Sequence, residues 1–205
     1  AELVATQNII ECARETGDKV HICHVSHPKV SQAIMEAQLD GVDVTAVTCG
    51  HYLSMTDKDV LAHGSLFKCA PPLRSAEDVD ALWHYVEDGT LSCIGSDHSP
   101  CELSEKSEEK HGIFGAWGGI SSIQSTIQAA YSEGVVKRGI SPTVIAHAIG
   151  EGPARVFGLY GKKGAIRPGF DADMVILDPD AKWEITADSL YNFNKISDFV
   201  GMKGQ

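Results

Sequence analysis

No stretch of this 205-residue sequence strings together the ~20 apolar residues that a membrane-spanning helix requires, and no basic segment leads into an apolar one. Membrane insertion and export are therefore not expected, and the cytoplasm is the default compartment. Basic residues are scarce as well. Seventeen Lys and Arg against 28 Asp and Glu leave a net charge of −11, which argues against nucleic acid or an anionic membrane as a partner. Neither GxGxxG nor GxxxxGK[ST] occurs, so a backbone cradle for nucleotide phosphates has no support. GxSxG is missing too, and no cysteine opens a helix in an electropositive setting, which disfavours a serine or cysteine nucleophile. The six cysteines form no CxxC pair and mostly sit beside apolar residues. Buried, reduced thiols follow, rather than a disulfide framework or a zinc knot.

With 43% apolar and 22% charged residues, the sequence reads as a globular chain with a sizeable core. Helical spacing runs from Ala1 to about Glu15 and ends at Gly17; Val20–Val25 is a short apolar strand. Pro28 opens a helix that Gly41 stops, and the β-branched run Val42–Thr48 is a second strand. Ser75 with Asp78 marks the N-cap of a helix over 76–88, and Leu91–Gly95 is a third strand. Strands alternating with helices predict parallel pairing through right-handed crossovers. The charged stretch Glu102–Gly112 reads as a solvated, mobile loop, with an active-site lid as the alternative. Trp117-Gly118-Gly119 precedes a helix to about Glu133, and Ser141-Pro142 starts another. From Gly164 the texture changes: GAIRPGFDADMVILDPD alternates as two short strands about a Pro-Gly turn would.

The segment Leu91–Cys101, LSCIGSDHSPC, carries the clearest chemical signal. Its third strand ends in Gly95 and is followed at once by Asp97 and His98, and the C-terminal mouth of a parallel strand is where α/β enzymes place catalytic groups. His21 and His24 lie in or at the end of the first strand. Side chains three apart on a strand face opposite ways, so only one of them can enter a site, and His24 is nearer the C-terminal end. His24 and Asp97 on converging strand ends are a common start for a zinc or iron site, but two ligands fall short of the three a catalytic metal needs. Among the other histidines, His84 and His147 sit on helices and His27, His63 and His111 in polar connections, leaving His51 and His98 as substrate or supporting groups.

Taken together, HICHVSHP, VTAVTCGHYLSMT, LFKCAPPLR, CIGSDHSPC, AWGGISSIQ and GAIRPGFDADMVILD resemble, in order and along essentially the whole chain, the second half of a cyclic amidohydrolase of the dihydroorotase–hydantoinase–allantoinase group. Within the group the allantoinase branch fits best: KCAPPLR stands where dihydroorotases have NPPLR, SDHSPC and WGGI are typical of that branch, and NKISDFVG is similar to its HKxSPYVG tail. The resemblance implies a distorted (β/α)8 TIM barrel with a small β-sandwich built from both chain ends. Residues 1–158 would supply barrel strands six to eight, and residues 159–205 part of the sandwich. It implies hydrolysis of a cyclic amide, allantoin to allantoate, by a hydroxide held between two divalent metals, zinc by expectation. His24 and Asp97 would be metal ligands, with Asp97 also the proton shuttle; His51, Ala70, Ser99, Trp117 and Gly118 would contact substrate. The HxH pair, the carboxylated lysine and the fifth-strand histidine would lie upstream of Ala1, so the chain is expected to be a fragment, inactive alone, from a homo-oligomer, a tetramer by resemblance. Rival readings are a hydantoinase, dihydropyrimidinase or dihydroorotase, and a non-catalytic dihydropyrimidinase-like scaffold. Departures from the branch pattern are Val47 for glutamate, Gly50 for proline, Gly152 for asparagine, and Asn194 and Asp198 for histidine and proline.

Overall fold

Three short parallel strands set the frame of the computed structural model, which describes residues 1–204. They are β1 (Val20–Ile22), β2 (Val44–Cys49) and β3 (Cys93–Gly95), hydrogen-bonded in sequence order. Val20 stands opposite Val44, and Val47 opposite Cys93, so all three chains run the same way and end at one edge of the sheet. Each connection is a crossover carrying helix: α2 (Pro28–Leu39) between β1 and β2, then α3 (Asp57–His63) and α4 (Ala76–Glu87) between β2 and β3. Together with α1 (Glu2–Thr16), they form a row in which α1 packs on α2 and α2 on α4.

The local signals explain where these helices start and stop. Gly17 ends α1 in the left-handed region (φ 75°), which glycine enters at little cost. Pro28 occupies the first turn of α2, where its missing N–H costs nothing, and the His27 ring nitrogen accepts from the Lys29 N–H. Ser75 caps α4 through the Asp78 N–H at 3.2 Å. The apolar faces of α2 and α4 close over the sheet, burying Val25, Ile34, Ala46, Leu82 and Trp83 in one cluster. The Trp83 indole N–H donates to the Leu53 carbonyl at 3.0 Å, so its polar atom is satisfied inside the core.

After β3 come α5 (Glu108–Gly115), α6 (Thr126–Ala130), α7 (Pro142–Ala146) and α8 (Gly152–Val156), with π-helical turns at Tyr131–Lys137 and His147–Glu151. Ser141 and Pro142 open α7 as their spacing requires. Two expectations need correction. The stretch 102–112 is not simply a solvated loop: Lys106 within it is buried, and Ser107 caps α5. The paired strands expected in 164–180 are not formed. Met174, Val175 and Ile176 there are exposed, because a strand needs a neighbour to satisfy its backbone and cover its apolar face, and no strand lies alongside among the described residues. The tail instead pairs β4 (Trp183–Glu184) with β5 (Lys203–Gly204), antiparallel, and sends Ile185, Leu190 and Phe199 into the same core as the helices.

Strands β1 and β3 each have one strand partner, so the sheet is an arc rather than a closed barrel among the described residues. A groove of about 960 Å³ opens along the free edge of β1, lined by α1, His21–His24, Pro71 and Arg74. Truncating the buried Trp83 to alanine should cost about 3–5 kcal/mol through cavity formation and an orphaned Leu53 carbonyl. A urea unfolding curve reads this as a lower midpoint, and an unchanged midpoint would show that the helix row is not held by this side chain.

Candidate active site

Three chemistry-bearing side chains occupy equivalent places in the fold. His24, His51 and Asp97 each stand two residues beyond the last residue of their strand, Ile22, Cys49 and Gly95. Parallel pairing in sequence order therefore delivers one group from each of three neighbouring strands to the same rim. His24 and Asp97 both have left-handed backbone (φ 44° and 46°), a region that non-glycine residues enter only at some cost. Such strain persists where surrounding contacts over-determine it, and here those contacts are visible.

His24 is clamped through its neighbours. The Val25 N–H donates to the Val47 carbonyl at 2.9 Å, and the buried Thr48 hydroxyl donates to the Val25 carbonyl at 2.8 Å. Next along, the buried Ser26 gives its N–H and hydroxyl to the Glu2 carboxylate at 2.9 and 2.6 Å. Arg74, from KCAPPLR, bonds both Glu2 (2.8 Å) and Ser26 (3.1 Å), tying α1, the β1 exit and the Pro71–Arg74 loop into one network. Asp97 is held in the same manner. The Ser96 carbonyl accepts from the Ser122 hydroxyl at 2.5 Å, and the His98 ring nitrogen accepts from the Ser122 and Ile123 N–H groups at 3.1 and 3.2 Å. His98 thus props the strand exit and leaves Asp97 exposed to the rim.

His51 is the buried member, 1% exposed, with both ring nitrogens lacking any hydrogen-bond partner. A buried imidazole without partners carries a desolvation penalty that a ligand would relieve. Burial, reinforced by the charges of His24 and Lys106, pushes its pKa down to about 3, so the ring is neutral and its lone pair free. Donor atoms of His51, Cys49 and Asp97 all lie within 4.8 Å of one another, close enough to share one cation. An S/N/O donor set with an orphaned imidazole fits a borderline-soft divalent ion such as zinc. Burial, then the nearby Asp97 charge, raises the Cys49 thiol well above its ordinary value, so a cation would have to displace its proton. His24 stands outside this trio, though its charge reaches His51. Cys49 is the buried, reduced thiol that its apolar setting predicts, and the structure adds that it lies beside His51 and Asp97.

The remaining expected residues gather past the β3 exit, around Ser99 and the Trp117–Gly119 turn. The Trp117 indole donates to the Ser99 carbonyl at 3.4 Å, the Gly119 N–H to the Lys68 carbonyl at 3.1 Å, and a side chain added at Gly118 would meet Ala70 at 3.7 Å. Ala70, Ser99, Trp117 and Gly118 are therefore one surface, with Ala70 and Trp117 exposed. His21 goes elsewhere: its ring bonds the Thr45 hydroxyl at 2.8 Å and meets Phe157 edge-on.

The family model described as "Amidohydrolase family" matches residues 6–205. The chain belongs to the amidohydrolase family. It is 41% identical over 200 residues to a protein named allantoinase from Enterococcus faecalis, and 42% identical over 201 residues to one of the same name from Rubrobacter xylanophilus. Each alignment takes in 98% of this chain but only 43% and 44% of those proteins, so the chain spans under half the length of the curated relatives it matches. Among solved structures, the L-hydantoinase (dihydropyrimidinase) from Arthrobacter aurescens superposes with a TM-score of 0.93 at 32% identity, over 98% of this chain and 44% of that one. The dihydropyrimidinase from Brevibacillus agri gives 0.90 at 28% identity, over 98% and 44%. The α/β arc thus has the fold of the matched portion of these solved structures. No helix among the described residues is long and apolar enough to cross a membrane.

Because His51 is held neutral, its contribution to the stability of the metal-free protein is fully present above its unfolded value of 6.5 and is lost as pH falls toward 3. Substituting His51→Leu should flatten that part of the stability–pH curve. A curve identical to that of the parent between pH 6.5 and 4 would mean that the ring protonates freely in the fold.

Proposed function

We propose that this chain is part of a metal-dependent cyclic amidohydrolase that opens allantoin to allantoate in purine catabolism. The observation that carries the reading is the delivery of His24, His51 and Asp97 from three adjacent strand ends to one rim, in a chain 41–42% identical to two proteins named allantoinase. We assign His24 and Asp97 as metal ligands and the rim of Ala70, Ser99, Trp117 and Gly118, with His51, as the substrate-facing wall. In this reading Asp97 serves the metal and the neighbouring His51 serves the ring, with the Cys49 thiol beside both.

A divalent metal, zinc in a pair by this reading, supplies an acidified water and polarises the ring carbonyl when bound. The work of the chain's own groups follows from their placement. Asp97, exposed at the rim with its backbone fixed on both sides, takes the proton of the attacking water as the new C–O bond forms. It returns that proton to the ring nitrogen as the C–N bond breaks, so no charge is left on the leaving amide. Neutral His51, walled from water, offers a lone pair or an N–H to the ring without competing for that proton. The Trp117–Gly119 turn and Ala70 present backbone and an aromatic face, which suits a small planar ureide.

The remaining metal ligands, a carboxylated lysine among them, belong to sequence outside this chain in this proposal. So does the sheet that Gly164–Asp180 would join, which makes the division into barrel (1–158) and β-sandwich (159–205) portions part of the same reading. The exposed apolar residues Met174–Leu177 support it, as a contiguous exposed apolar run marks a surface that another element would cover. Cytoplasmic residence and a homo-oligomeric, tetrameric assembly complete the proposal; exposed Tyr191 and Phe193 offer apolar surface for such contacts.

A second reading, hydantoin or dihydropyrimidine as the ring, is favoured by the 0.93 superposition on L-hydantoinase. The full-length, zinc-loaded protein should turn over allantoin at the highest kcat/KM when compared with hydantoin, dihydrouracil and dihydroorotate. Asp97→Asn should lower kcat by at least about 10²–10⁴-fold, the worth of a positioned acid–base group. Preference for another ring would transfer the assignment to that substrate, and no turnover of any ring by metal-replete protein would favour a scaffold.

A further inference from the structure

The substrate-facing rim is braced from beneath by a buried ion pair that joins the tail to the loop after β3. Lys106 is 6% exposed and Asp198 7% exposed, and the Lys106 ammonium lies 3.9 Å from the Asp198 carboxylate. That ammonium also donates to the carbonyls of Leu66 and Lys68, the latter at 3.2 Å. The Lys68 carbonyl in turn accepts the Gly119 N–H at 3.1 Å, so a single oxygen joins the buried lysine to the Trp117–Gly119 turn. The Lys68 ammonium completes the brace from the other side, donating to the Phe114 and Ala116 carbonyls at 2.7 and 2.6 Å. Glu105, beside Lys106, accepts the Trp117 N–H through its carbonyl at 2.9 Å, and the Lys106 carbonyl accepts the Ser65 hydroxyl at 2.6 Å.

Asp198 arrives on a tail that is itself stitched to the β3 exit. The Asn194 amide donates to the Cys101 carbonyl at 2.7 Å, the Ser197 hydroxyl to the Ser121 carbonyl at 2.5 Å, and the Asn192 amide to the Ser121 hydroxyl at 2.7 Å. Two of these residues, Asn194 and Asp198, are positions where the chain departs from the HKxSPYVG pattern. Burial pushes the Asp198 carboxyl up to about 6 and the Lys106 ammonium down, in each case against the pull of the partner charge. Desolvation opposes the mutual attraction, so a buried pair of this kind is weak evidence for stability in its own right. What an apolar pair could not do is hold two carbonyls and select one position of the tail.

We infer that Lys106 and Asp198 are positioning residues that fix the Lys68–Ala70 and Trp117–Gly119 segments as one substrate-facing wall, making the C-terminal tail a determinant of substrate affinity. Neither residue touches the ring. Lys106 orders the wall through the Leu66 and Lys68 carbonyls, and Asp198 supplies the counter-charge that keeps the ammonium in place. Asp198 has no such role where proline stands in its position, so the tail contact is a property of this chain rather than of the branch pattern.

The kinetic part of this inference rests on the cyclic-amide reading above; the structural part does not. In full-length, metal-loaded protein, Lys106→Met should raise KM for allantoin about tenfold, the scale of lost charge-assisted hydrogen bonds to carbonyls, and Asp198→Asn severalfold, since it removes a counter-charge 3.9 Å away rather than a hydrogen bond, with kcat within about twofold and metal content unchanged in both. Amide exchange over residues 102–119 should accelerate in both variants, and the double variant should be no worse than the worse single one. Asp198→Asn is the isosteric change, so it reports even if Lys106→Met does not fold. Unchanged KM and unchanged exchange in Asp198→Asn would overturn the inference, as would a fall in kcat and metal content together with a general loss of stability. Should no ring be hydrolysed by the parent protein, the cyclic-amide reading fails while the exchange data still decide whether the brace exists.

Discussion

Parallel pairing of β1, β2 and β3 in sequence order is the constraint on which the rest depends. Backbone hydrogen bonding of Val20 against Val44 and Val47 against Cys93 sets the register. With register fixed, the residue two places beyond each strand arrives at a common rim whatever its chemistry. In this chain those residues are His24, His51 and Asp97. Sliding β2 by one residue would turn His51 away from the rim and expose Ala46, so the hydrophobic core and the donor set are specified by the same pairing.

The helices and loops then serve to hold the strand exits rather than merely to bury the sheet. Glu2, Ser26 and Arg74 join three distant segments around the turn after His24. Ser122 and His98 do the same after Asp97. Both turns carry left-handed residues, and the density of side-chain to backbone bonds around them is what such a conformation requires. One consequence is that His98, adjacent to the key carboxylate in sequence, is a strut, whereas His51, distant from it in sequence, shares its space.

The crossover helices, their caps and the parallel order were all legible from glycine, proline and serine placed at the ends of periodic runs. Gly17, Pro28, Ser75 and Pro142 fulfil the local roles that their chemistry dictates. The candidate site was partly legible: motif order pointed to His24 and Asp97, which the structure sets at strand ends, whereas the nearness of Cys49 to His51 and Asp97 could not be read because a cysteine in an apolar strand looks like any small core residue until its neighbours are in place. The failures have a common cause. The alternation in 164–180 is real, yet a strand is a property of a pair, and the neighbour it needs is not among the described residues. In the same way, Lys106 sits in a run of glutamates and serines that reads as solvated, and only the folded tail reveals that Asp198 and two carbonyls wait for it.

The functional proposal requires the strand-end rim to be a metal-supported hydrolytic centre. X-ray diffraction from the zinc-loaded, full-length protein, recorded above and below the zinc absorption edge, tests that directly. Anomalous density should be bonded to the Asp97 carboxylate, at the roughly 2.0–2.2 Å typical of zinc–oxygen bonds, with the His24 imidazole ligating at the same centre. Zinc bound elsewhere, or a rim that holds no metal in protein that hydrolyses its ring substrate, would contradict it.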